Sequence, residues 1–123
     1  MREAILLFGA EDKLAVYLRK TLAPMRVMVR SIPQEQFGCS IGYLAGDKTC
    51  PAAEVPYEGE SLEKPLLLLA GFGNARMDQV LMAMNRSGLY IDYKAMLTPT
   101  NRVWDVPTLY REIAREHEQM SQT

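Results

Sequence analysis

Cysteine, histidine and tryptophan are scarce in this chain, which holds two, one and one of them in 123 residues. Cys39 and Cys50 lie eleven positions apart and His117 is far from both. Neither a CxxC redox pair nor a zinc-ligand spacing is present, so no metal and no cofactor is expected. An excess of one charge is also missing. Fourteen lysines and arginines face fifteen acids, a formal charge of −1, which gives no electrostatic footprint for phosphate backbones or anionic lipid. Nucleic acid and membrane are therefore not expected as partners. The longest apolar run near the start is Ala4 to Phe8, too short for a signal-peptide core or a membrane span. The chain reads as cytoplasmic, with reduced thiols.

What is present fits one hydrophobic core, and hence a single α/β domain over residues 1–123. Ala4-Ile5-Leu6-Leu7-Phe8-Gly9 is continuously apolar and ends in glycine, the pattern of a strand buried on both faces. Glu11 to Leu22 carries the apolar residues Leu14, Val16, Tyr17 and Leu18, with Leu22 one turn on, and reads as an amphipathic helix packed on the core and stopped by Pro24. Arg26 to Arg30 alternates, with Val27 and Val29 between arginines, as a half-exposed edge strand does. Ser31-Ile32-Pro33-Gln34 then reads as a capped helix start, with Phe37, Ile41 and Leu44 on one stripe. Gly38 and Gly42 weaken that helix, and their spacing suits close approach of another backbone. Gly46 ends it.

Residues 47–64 show no periodicity and carry five acids and two lysines, so they read as a long linker, functional or mobile. The pattern then restarts. Leu66 to Ala70 is a second doubly apolar strand, and Arg76 to Ser87 a helix closed by Gly88. Tyr90 to Leu97 alternates, with Ile91, Tyr93, Ala95 and Leu97 against Asp92, Lys94 and Met96. Asp105 caps a last helix with Val106, Leu109, Tyr110 and Ile113 inward. The halves 1–46 and 65–120 thus read as an internal repeat, a shift of 62 pairing Gly9 with Gly71 and a shift of 66 pairing Val29 with Ala95.

Two βαβα halves predict a four-stranded parallel sheet with helices on both faces, a flavodoxin-like layer structure. The doubly apolar strands take the centre and the alternating ones the edges, giving the order 2-1-3-4. Winding would reverse between strands 1 and 3, and a crevice would open there between Gly9-Ala10-Glu11-Asp12 and Gly71-Phe72-Gly73-Asn74. Helix starts beside it suit an anion. The candidate ligand-binding residues are therefore Gly71, Phe72, Gly73, Asn74, Thr98, Thr100 and Asn101. Gly71-Phe72-Gly73 is not a dinucleotide fingerprint, because Arg76 stands where the third glycine belongs. Thr98 to Asn101 is also what any strand-to-helix corner uses. Trp104 suits a clamp for the last helix, Glu11 and Asp12 favour a helix dipole, and His117 sits among Glu116 and Glu118.

The strand and turn Leu67 to Phe72, the corner Leu97-Thr98-Pro99-Thr100-Asn101 and Trp104 carry a resemblance over Lys64 to Met120. That segment resembles a small bacterial family of unknown function, found mostly in Firmicutes, and the resemblance implies no activity, cofactor or catalytic residue. No catalytic constellation stands out elsewhere. The residues favour a non-enzymatic binding or regulatory module acting on an unknown protein partner or on itself as a homodimer. The alternative is a small-molecule binder, or an enzyme, using the crevice.

Overall fold

The computed structural model describes residues 2–121. β1 (Ala4–Phe8) and β3 (Leu66–Ala70) are buried at every position. Strands covered on both faces have no use for polar positions, and these two form the centre of the sheet. β2 (Met28–Ile32) exposes Met28 and Arg30 while burying Val29, and β4 (Tyr93–Met96) buries only Ala95. Both lie at edges, and the order is β2-β1-β3-β4.

The strand directions differ from expectation. β1 and β2 are parallel, as are β3 and β4, but β1 and β3 are antiparallel, with Ala4 opposite Ala70 and Phe8 opposite Leu66. The sheet is mixed, and the all-parallel, flavodoxin-like winding does not form. The reason lies after β2. A parallel β1–β3 pair needs a crossover that returns along the sheet, usually a helix. The stretch expected to supply one is broken into a 3₁₀ turn at Gln34–Gln36 and α2 (Ile41–Leu44). Ser31 belongs to β2, and the cap of α2 is Ser40, whose hydroxyl accepts the Tyr43 N–H at 3.2 Å. An antiparallel β3 begins at the end of the sheet where β2 finishes, so no return crossing is required.

Reversal of β3 also moves a helix. α1 (Asp12–Leu22) and α3 (Asn74–Arg86) each join a parallel pair, and right-handed crossovers on two opposed units fall on one face. Leu18 and Leu22 of α1 share a buried cluster with Val80 and Met84 of α3, over Ile5, Leu7, Leu67 and Leu69. An all-parallel winding would have set these two helices on opposite faces, and the reversal of β3 brings them together on one. The other face, Leu6, Phe8, Leu66 and Leu68, is covered by α2, α4 (Val106–Ser121) and the connection 47–64. That connection lacks regular structure yet is tied down. Tyr57 packs on Phe37 with ring centroids 5.8 Å apart, its N–H reaches Glu35 O at 2.8 Å, and the Lys64 N–H reaches the Tyr110 hydroxyl at 3.1 Å.

A shift of 62 superposes β1 on β3 and Gly9 on Gly71. Both glycines have positive φ, 68° and 79°, a conformation that a side chain disfavours. The shift of 66 does not hold, because Val29 packs on the α1/α3 face and Ala95 on the other. Ile91 precedes β4 and turns to the face opposite Tyr93 and Leu97. Helix ends follow the sequence closely. Gly88 (φ 75°) closes α3 with Leu89 N–H to Met84 O at 2.9 Å, and Asp105 Oδ1 accepts the Thr108 N–H at 2.9 Å to cap α4.

Candidate functional site

With β3 reversed, the turn after β1 and the turn after β3 lie at opposite ends of the sheet. The crevice expected between Gly9–Asp12 and Gly71–Asn74 does not exist. Gly71, Phe72, Gly73 and Asn74 do share an end with Thr98, Thr100 and Asn101, since β3 and β4 are parallel. Phe72 is turned inward against the α1/α3 cluster. Gly73 has φ −77° and open space where a Cβ would stand. Arg76, the nearest cation along the chain, is directed away, its Nε 3.1 Å from Glu3 Oε1 and its Nη2 on the Met25 carbonyl.

The corner is built around Asn101. Leu97 N–H donates to Leu69 O at 2.9 Å, so Leu97 faces β3, and the peptide groups of Met96 and Thr98 turn to the open edge. One side chain meets both. Asn101 Nδ2 donates to Met96 O at 2.8 Å, and Oδ1 accepts the Thr98 N–H at 2.8 Å. The carboxamide stands where the peptide of a fifth strand would. Thr98 Oγ1 accepts the Asn101 N–H at 3.1 Å in return. The polar atoms singled out for a ligand are thus engaged by the corner, while Thr100 is exposed beside it. Trp104 packs on the α4 side of the core and its carbonyl accepts the Ile41 N–H at 2.8 Å. His117, read as part of a polar tail, lies edge-on against Tyr93 with centroids 5.3 Å apart.

Along the open edge of β4 runs a groove of about 450 Å³ between α3 and α4. Met77, Leu81, Met96 and Ile113 give it apolar walls, Lys94 and Glu116 its charge, and Thr98 and Asn101 close one end. Gly71 to Asn74 take no part. Sequence reasoning missed these walls, although one signal was there: Met96 is the apolar residue on the otherwise polar side of the alternating stretch Asp92, Lys94, Met96.

A second polar cluster ties the connection to the corner. The Thr49 hydroxyl and N–H both donate to Asp47 Oδ1 and hold its carboxyl below the usual range, with Arg102 3.9 Å from Oδ2. Burial, then the bond to Asp47, push the Cys50 thiol up and keep it protonated. A lowered carboxylate contributes stability above the unfolded value of 3.8 that is lost as pH falls through the folded one. Asp47→Asn is therefore expected to melt below the wild type at pH 7 and by a smaller margin at about pH 2, read by circular dichroism. An equal deficit at both pH values would show that the charge is irrelevant. Among the described residues no group of three or more His, Cys, Asp or Glu side chains is placed to hold a metal ion, and no helix is long and apolar enough to cross a membrane.

Residues 65–120 match a domain of unknown function, DUF3783. No curated protein and no solved structure matches the chain. The matched segment contains β3, α3, β4 and α4, and with them every residue lining the β4 groove.

Proposed function

We propose that the chain is a non-enzymatic binding module that works through protein contacts, with the β4 groove as its contact surface. The observation that supports this reading is the groove itself, an open apolar channel lying wholly within the family-matched segment. Two of its six apolar lining residues, Met77 and Met96, are methionines, which repack around varied partner side chains. The partner is a different polypeptide. A second copy adding its own β4 in the Lys94–Lys94 register would set two lysines directly opposite, which is destabilising. The register pairing Lys94 with Met96 needs the Met96 carbonyl, which Asn101 already holds. Side chains entering the groove, rather than a strand added to the edge, are the mode of contact. The two β-α-β units belong to the same reading as products of duplication, one of which has kept the groove.

A photo-crosslinking residue placed at Met96 in cells producing the chain tests the proposal. A discrete adduct with another protein is expected, absent when the same group replaces Glu58. Adducts only between copies of the chain, or none, would remove the reading.

A further inference from the structure

We infer that the outer face of α1 is a second docking surface, shaped for an acidic segment of another protein that carries apolar side chains. Lys13, Val16, Tyr17 and Lys20 follow one another at i, i+3, i+4 and i+7, so they share one side of the helix. It is the side away from Ala15, Leu18 and Leu22, which are buried. A helix lying on a sheet has polar residues on that side, yet Val16 is 47% exposed and Tyr17 48%. With Asp12 and the two lysines they enclose a shallow concavity of about 340 Å³. Tyr17 is already fixed there, because its hydroxyl donates to Ser87 O at 2.9 Å across to the end of α3. An aromatic side chain held in place before contact loses little entropy on binding.

Charge identifies the occupant. Residues 9–26 and 71–92, which hold α1 and α3 with their connections, carry six cations against four acids. On the opposite layer, residues 34–64 and 101–121, five cations face ten acids. The sheet thus separates a basic layer from an acidic one, although the whole chain is nearly neutral. Arg19 and Arg76 are committed to Val29 O and Glu3. Among the described residues neither Lys13 nor Lys20 has an ion-pair partner. Two unpaired lysines flanking two exposed apolar side chains suit glutamates or aspartates flanking an apolar stripe. A second copy offering its acidic layer would stack head to tail without closing, and that is kept as an outcome of the test.

The probe is a fluorescein-labelled synthetic helix of about 16 residues, leucine along one side and glutamate elsewhere. Its anisotropy is read against the full chain at about 20 mM and about 300 mM salt. Saturable binding is expected, weakened roughly tenfold by the higher salt and by at least that much in Lys13→Glu/Lys20→Glu and in Val16→Asp. These positions are exposed, and circular dichroism melts confirm that the variants fold. Met96→Glu should leave this binding unchanged, so a failure here is separate from a failure of the β4 groove. The inference is overturned by any of four results. These are no saturation, unchanged binding by the double Lys variant, binding of phosphatidylserine vesicles in place of the peptide, and self-association that the same variant abolishes.

Discussion

Asn101→Ala is expected to be among the most damaging single changes in this protein. It leaves the Met96 carbonyl and the Thr98 N–H without their shared partner at a site where Asn101 is 8% exposed. Each orphaned group at this part-buried site costs about 1–3 kcal/mol. A loss of about 3 kcal/mol, roughly 10 °C in Tm at this chain length, should appear in urea and thermal melts. Asn101→Asp supplies the acceptor for Thr98 but not the donor for Met96, and should fall between wild type and alanine. The edge is unsealed as well, so Asn101→Ala should self-associate more than the wild type with rising concentration in sedimentation velocity. A variant that melts and sediments with the wild type would show that the carboxamide is dispensable.

Gly42→Ala comes second. A Cβ at Gly42 would stand 2.6 Å from Cys50 Sγ and 2.7 Å from the Arg102 carbonyl oxygen. The carbonyl belongs to backbone and cannot swing away, so α2 and the corner must separate. Overpacking of this kind costs typically 1–3 kcal/mol, and the upper half of that range is expected in urea titration. Cys50→Ala relieves only the sulfur contact, so the double variant should recover part of the loss and not all of it, a coupling that a double-mutant cycle measures. Full recovery would place the strain on the thiol alone.

Gly42 and Gly38 also show how far the sequence could be read. Their spacing gave notice of a close backbone approach, and Gly42 meets one from Arg102. The same glycines, in a stretch that forms only a four-residue helix, were the available sign that no crossover returns along the sheet. Strand order was legible because burial on two faces or on one is written into Leu66 to Ala70 and Met28 to Ile32. Strand direction was not, because a doubly apolar strand is equally apolar with its neighbour parallel or antiparallel. The candidate site failed at that step. Thr98 and Asn101 were placed correctly at the corner, but whether a polar side chain faces a ligand or its own backbone depends on which edge lies open. The α1 stripe was visible as spacing, yet Val16 and Tyr17 passed as core residues until the helix was set on the sheet.

The antiparallel pairing of β1 with β3 carries one more consequence. Two parallel β-α-β units joined this way are exchanged by a half-turn about a line normal to the sheet. That is the symmetry of an isologous dimer, in which one surface meets its own copy. Two separate copies of a single unit would reach the same four-stranded sheet, each contributing an apolar strand to the seam and burying a helix beside its twin. An all-parallel centre has no such solution, since two identical edges facing each other across that axis must run in opposite senses. The sheet geometry is thus one that two copies of a single β-α-β unit satisfy, and residues 33–65 span from the end of β2 to the start of β3 at the same end of the sheet.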